Sequence, residues 1–296
     1  MSALSESSVG AACALLSAGT WALVSLLVRR LAGSFNSATV NAIRATGGGV
    51  LLLAWVLAIA GITAFRAITA YDYFLLVSSV IIASCLGDTV FFESTRFLGL
   101  ARAMTASMTY PLLAALLAAP LLGEPLTPAL LLGSVLTLGG LAIIVGNRQI
   151  DPDEPNRLWL GLGAATLASV AWAVSAIMLK PALHAVDSTT AQALRLPVVG
   201  LVLLATPWAR GAVGAVRTAT PDTGKMLAVL AALTAVSSVL FVMGVKHAGV
   251  GVATVLSATA PMFAIPLGAL YLGERMTVSG ALGTLLTVAG IAVLNL

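Results

Sequence analysis

The sequence predicts an all-α integral membrane protein: ten transmembrane helices arranged as two inverted five-helix repeats. Three observations predict it. Hydrophobic residues make up 59% of the 296 residues and charged ones 9%, with a mean hydropathy of +1.06. A soluble domain carries about 25% charged residues, so this chain could not cover a water-facing surface. Apolar stretches recur along the whole length at about 20 residues each, which a hydrocarbon core of about 30 Å demands of a helix. Long alternating segments of strand type do not appear, which argues against a β-barrel. The chain is also written twice. Thr39-Val40-Asn41-Ala42-Ile43-Arg44 returns about 151 positions later as Thr190-Ala191-Gln192-Ala193-Leu194-Arg195. Ala103, Ser107, Thr109, Pro111, Gly133 and Gly140 meet Ala253, Ser257, Thr259, Pro261, Gly283 and Gly290 about 150 positions on. Internal repeats in a lipid-embedded chain mark secondary transporters, whose binding site lies at the repeat interface near the bilayer midplane.

The first helix, near 9–28, does not read as a cleavable signal: it lacks a basic start, and Arg29-Arg30 follow it. Spans near 37–60, 71–94, 102–122 and 128–146 complete repeat 1, residues 1–150. Spans near 158–179, 188–206, 225–244, 251–271 and 277–295 form repeat 2, residues 151–296. Gly123 caps the fourth helix, and Thr127-Pro128 opens the fifth with an N-cap and a proline at its first position. Gly273 and Thr277 do the same in the second copy, and the polar stretch Asn147 to Arg157 links the copies. Five helices per copy is an odd number, so the second copy enters the membrane upside-down.

Loop charge bears on orientation. Loops after helices 1, 3, 5, 7 and 9 hold ten Lys/Arg, those on the other face three. This count makes the ten-charge face cytoplasmic and puts both termini outside. The pI near 9.4 reflects these loops and not a nucleic-acid partner, because no Lys/Arg run exceeds two. Cys13 and Cys85 sit in apolar helices and read as buried small residues. Gly47, Gly48, Gly49, Gly139 and Gly140 are expected to permit close helix approach.

The segment Ala101 to Gly146 and its twin Gly251 to Leu296 resemble the signature half of the EamA-type drug/metabolite transporter superfamily. The carrying residues are Ser107-x-x-x-Pro111 followed by Leu122-Gly123-Glu124-Pro125-Leu126-Thr127, and Ser257-x-x-x-Pro261 followed by Leu272-Gly273-Glu274-Arg275-Met276-Thr277. Trp21 and Trp172, mid-first-helix in each copy, match too. The resemblance covers nearly the whole chain. It implies a ten-helix basket in the plasma (inner) membrane that exports metabolites, with YddG-like amino-acid exporters among its members. It also implies cytoplasmic termini, opposite to the charge count, so orientation stays open.

Pro111 and Pro261 fall near the middle of helices 4 and 9, where proline cannot donate to the carbonyl four residues back. Those carbonyls belong to Ser107 and Ser257 and must find a partner or line a wet cavity. Two readings stand: a shared solute site with Tyr110 nearby, or a packing kink. Arg44 and Arg195 each lie about two turns inside a helix and disfavour insertion by about 2.5–3.5 kcal/mol if central. Each has an amide one turn earlier, Asn41 and Gln192. They either hold a substrate carboxylate by a two-pronged hydrogen bond or snorkel to headgroups and loop carboxylates. Asp88 and Glu93 are read as the carboxylates inside a helix. Glu93 is expected to pair with Arg96 or Arg102, and Asp88 to bind an ammonium group or carry a proton. The second copy has Ser238 and Met243 there, so these charges break the symmetry and would suit a zwitterion. Trp21, Trp172 and Tyr110 are candidate walls. Glu124 and Glu274 read as structural, and His184 and His247 as loop residues without metal-binding partners.

The chain holds no G-x-x-x-x-G-K-[ST] for ATP, no H-E-x-x-H, no aspartate pair of a membrane protease and no nucleophile–base pair, so an enzyme is not expected. The first helix reads as free of acidic residues, whereas small multidrug relatives use one there to export cations by proton coupling. The expected protein is a secondary transporter of small polar metabolites, foremost amino acids, by alternating access of two five-helix bundles around helices 4 and 9. Nucleosides, organic anions or drugs are the alternative cargo. A non-transporting scaffold is the further alternative and predicts a solid centre. Expected partners are a small-molecule substrate and the lipid bilayer, as monomer or homodimer, with no cofactor, metal or nucleic acid.

Overall fold

The computed structural model describes residues 6–122, 155–273 and 278–293, with scattered residues between 128 and 143. Every described element is a helix. Helix α1 is Glu6–Leu31 and α2 is Ser37–Ile59, opened by the Asn36 carboxamide accepting from the Thr39 amide at 2.7 Å. A short 3₁₀ turn, Gly61–Phe65, leads to α3, Ala70–Val80, which begins with a reciprocal Thr69/Asp72 capping box. A π-helical segment, Ile81–Asp88, joins α3 to α4, Thr89–Leu98. Next come α5, Leu100–Ser107, and α6, Tyr110–Leu122. The second copy supplies α7, Pro155–Ala182; α8, Ser188–Ala205; the short α9, Ala212–Arg217; α10, Pro221–Ser257; α11, Ala260–Leu272; and α12, Val278–Val293.

Seven stretches among the described residues are long and apolar enough to cross a membrane, and α12 is a shorter apolar helix. The stretch Pro221–Leu272, at 52 residues, far exceeds the roughly 20 that a span requires. Gly249 interrupts it with φ 85° and ψ 166°. Gly99, one repeat earlier, has φ 80° and ψ 167° between α4 and α5. This backbone region is essentially open to glycine alone, so the chain turns within one residue in both copies. The loop expected after residue 244 is therefore absent, and His247 lies inside α10, its Nδ1 3.9 Å from the Glu6 carboxylate.

Three further expectations change. Pro111 and Pro261 do not kink a continuous helix. The helix ends at Ser107 and Ser257 and restarts at Tyr110 and Ala260, which puts both prolines in a first turn whose N–H groups lack helical partners anyway. The restart is closed alike in both copies: Leu112 N–H donates to the Thr109 carbonyl at 3.1 Å, and Met262 N–H to Thr259 at 2.9 Å. The first helix is not free of acid, since Glu6 stands in its first turn, 92% exposed at the side chain. Asp72 and Asp222 likewise occupy first turns, where carboxylates favour the helix dipole, so Asp88 and Glu93 are not the sole helical carboxylates. Residues 123–127 with Gly123, Glu124, Pro125, Leu126 and Thr127, most of 128–146, the linker up to Glu154, and 274–277 with Glu274, Arg275, Met276 and Thr277 lie outside the described residues.

Packing interleaves the copies. Helix α1 lies along α10 and α11, while α7 lies along α3, the π segment, α4 and α6. The first helix of each copy thus packs on the third and fourth spans of the other, and the sequence halves are not separate bundles. Helices α2 and α8 cross closely. A Cβ on Gly49 would lie 2.7 Å from the Pro197 backbone nitrogen, Gly47 and Gly48 face Ala231, and Gly200 faces Thr46. Gly140 meets Gly283 and Thr287.

Asp187 caps α8 by accepting from the amides of Thr189 and Thr190 at 2.9 and 3.0 Å. Burial raises its carboxyl pKa, but the hydrogen bonds from Thr190 and Thr189 and the Lys246 charge outweigh burial and hold it below its usual value. The stability this cap contributes is present above the unfolded value and is lost as pH falls through the lowered folded one. Asp187→Asn should flatten the acid limb of a melting-temperature-versus-pH curve in detergent.

Gly99→Ala and Gly249→Ala should each destabilise the fold by about 1–3 kcal/mol. Thermal melts followed by tryptophan fluorescence check this, and equal losses at the two sites are expected from their matching backbone.

Candidate functional site

A cavity of about 140 Å³ opens where α1, α2, the π segment, α7, α8 and α10 converge. Its wall is built from equivalent positions of the two copies: Trp21 with Trp172, Arg44 with Arg195, Ser84 with Thr234, and Asp88 with Ser238.

The first copy contributes a closed ion pair. Asp88 is the last residue of the π segment, a conformation that recurs at functional sites because its extra residue re-aims side chains. Asn41 braces that segment, donating to the Ser84 carbonyl at 2.5 Å and to Thr89 Oγ1 at 2.7 Å. Asp88 Oδ2 accepts from Arg44 Nη2, and Oδ1 accepts from Trp172 Nε1 at 2.8 Å. Arg44 and Asp88 are 2% and 6% exposed. The Arg44 guanidinium also lies 4.9 Å from the Phe92 ring centre and 5.4 Å from that of Trp21, a cation–π arrangement. Trp172 stands edge-on to Trp21 and to Tyr110, both at 5.9 Å. Gly87 makes the room: a Cβ there would come 2.9 Å from the Trp172 indole.

The second copy is open. Arg195 is 4% exposed and Nη1 donates to Gln192 Oε1 at 2.7 Å. Its Nε has no partner, and neither has that of Arg44, so the two arginines differ in the carboxylate and not in Nε. Among the described residues no carboxylate lies within ion-pair distance of Arg195, because Ser238 stands where its twin has Asp88. The Ser238 hydroxyl donates back to the Ala235 carbonyl at 2.9 Å.

Of the residues singled out in the sequence, Trp21, Arg44, Asp88, Tyr110, Trp172, Gln192, Arg195 and Ser257 line the cavity. Asn41, Ser107, Pro111 and Pro261 do not. Asn41 Nδ2 donates to the π segment while its Oδ1 is buried without a partner, Ser107 donates to the Ala103 carbonyl at 2.8 Å, and both prolines are buried in restarted helices. Glu93 pairs with Arg96 at 3.4 Å and accepts from Ser37 at 2.7 Å, away from the cavity wall. The expected separation of positive side chains from a carboxylate changes in one respect: Asp88 pairs with Arg44, while no described carboxylate lies within ion-pair distance of Arg195. Ser17, Ser84 and Thr234 were overlooked. The signal was there: each precedes Trp21, Asp88 or Ser238 by one helical turn, and so shares its face.

Removing one partner of a buried pair costs about 3–5 kcal/mol, mostly for the charge left behind. Asp88→Asn and Arg44→Gln should each lower stability by that order, and the double variant by much less than their sum. A double-mutant cycle of detergent melts checks it.

The model of the EamA-like transporter family matches residues 8–146 and again 159–296. A solved crystal structure, 20% identical, covers 98% of this chain and 98% of its own, with a TM-score of 0.69, so it shares the fold. A search of the curated proteins gives no match.

Proposed function

The chain belongs to the EamA-like transporter family, a multi-pass membrane transporter of the drug/metabolite type, and on that premise we propose that it carries small metabolites bearing a carboxylate, held by Arg195. One observation carries this reading. Arg195 is a buried cation on a cavity wall, and no carboxylate of the described residues lies within ion-pair distance of it. A buried charge needs a partner, and a solute carboxylate can take the two-pronged geometry that guanidinium offers. The Trp21, Trp172 and Tyr110 rings give an apolar body a surface to rest on. We take the architecture as ten spans in two inverted repeats, 1–150 and 151–296, in the plasma membrane, exporting by alternating access.

Amino acids are the cargo class that the family resemblance suggests, and Arg195 would hold their carboxylate. Organic anions are the second, and a specific observation favours them: Asp88, the group available for an ammonium, already serves Arg44 and Trp172. A scaffold without transport would have a solid centre, and the cavity speaks against it.

Purified protein in liposomes, tested for counterflow of labelled amino acids and organic acids, examines the proposal. Arg195→Gln should reduce uptake roughly 10- to 100-fold, the worth of a charged hydrogen bond, while its melting profile stays cooperative. Uptake that survives the change would mean Arg195 is structural.

A further inference from the structure

Resting on the carboxylate reading above, we infer that Asp88 sets the charge class of the cargo: it neutralises Arg44, leaves Arg195 as the single cationic anchor, and so fits the cavity to solutes of one carboxylate and net charge −1, ahead of zwitterions and dicarboxylates.

The argument is charge balance. The cavity wall carries three charged side chains, Arg44, Asp88 and Arg195. Arg44 and Asp88 cancel within hydrogen-bond contact, both nearly fully buried. One positive charge remains. A monoanion at Arg195 makes the occupied cavity neutral. A zwitterion brings an ammonium that finds no free carboxylate. The hydroxyls around it, Thr234, Ser17 and Ser238, donate to the Leu230, Ser237 and Ala235 carbonyls and can still accept from an ammonium, but they bring no negative charge to balance it. Of the rings on the wall, Trp21 already faces Arg44, and Trp172 and Tyr110 offer a π face but no full negative charge to cancel an ammonium. A dicarboxylate brings a second anion, and the one other guanidinium on the wall is engaged. With Arg44, Asp88 and Arg195 only 2%, 6% and 4% exposed, an uncompensated charge beside them costs several kcal/mol, more than the uncharged contacts of one small solute can offset.

The second copy shows what the residue does by lacking it. At the position equivalent to Asp88 stands Ser238, and the equivalent arginine is open. Asp88→Asn therefore turns the first half-site into a likeness of the second and creates a second anion subsite at Arg44. Ser238→Asp does the reverse and closes Arg195.

The test uses three ligands on one skeleton: hydrocinnamate (monoanion), phenylalanine (zwitterion) and phenylsuccinate (dianion). Binding to the full-length protein in detergent is read by quenching of tryptophan fluorescence and by thermal shift. The native protein should bind hydrocinnamate roughly 100-fold more tightly than the other two. Asp88→Asn should gain phenylsuccinate binding by a similar factor, and phenylsuccinate should raise its lowered melting temperature, which also shows that it is folded. Ser238→Asp, which leaves the Arg44 pair intact, should lose hydrocinnamate. Phenylalanine ahead of hydrocinnamate in the native protein, or a folded Asp88→Asn that ignores phenylsuccinate, overturns the inference while the carboxylate reading stands. If the native protein binds none of the three and Arg195→Gln transports as well as native, the carboxylate reading fails and takes this inference with it.

Discussion

A cation inside a membrane protein must bring its own counter-charge or wait for one, and the two arginines of this chain take the two courses. Arg44 is answered by Asp88, and the answer ties the molecule together. Asp88 sits on the π segment, Arg44 on α2 and the third partner, Trp172, on α7 of the other copy. One carboxylate thus joins three helices from both repeats at the cavity wall. Each oxygen takes one of these bonds and keeps a second lone pair, so what the pairing removes from the cavity is the uncompensated charge of Asp88 and not its capacity to accept. The open charge at Arg195 has meaning only because this pair is closed.

Duplication explains the frame and asymmetry explains the site. Equivalent glycines, Gly99 and Gly249, turn the chain by the same dihedrals. Equivalent prolines restart the fourth span of each copy. The first helix of each copy packs on the other, so neither repeat completes a wall alone. Symmetry of that kind would give two identical half-sites. Among the positions where they differ, Asp88 against Ser238 is the one that changes the charge.

The repeat, the membrane-spanning character and the aromatic and charged part of the wall were legible in the sequence because they rest on local, additive signals: hydropathy over a window, a matched offset, an arginine where lipid forbids one. Eight of the residues chosen on such grounds reach the cavity. What escaped depends on distant partners. Asn41 shares a helical face with Arg44, yet it turns to the π segment, whose presence no residue pattern announces. Pro111 and Pro261 promised broken carbonyls, but proline in a first turn costs nothing that the turn had not already forgone. The pairing of Asp88 with Arg44 escaped because sequence separation gives no sign that residues 44 and 88 touch.

Transport sets a demand that binding alone does not: the site must attract its solute and also let it go. Two open arginines at the centre would hold a dianion by two charge-assisted pairs. Each such pair contributes about 1.5–3 kcal/mol, and each would have to break before release on the far side. One open arginine halves that barrier. A cavity with no charge at all would leave a carboxylate's desolvation uncompensated and the solute would not enter. An arginine closed by an aspartate, beside an arginine left open, sits between these limits. On the charge reading argued above, Asp88 is then as much a device for release as for selection, since it keeps the second anchor out of reach while the first one works.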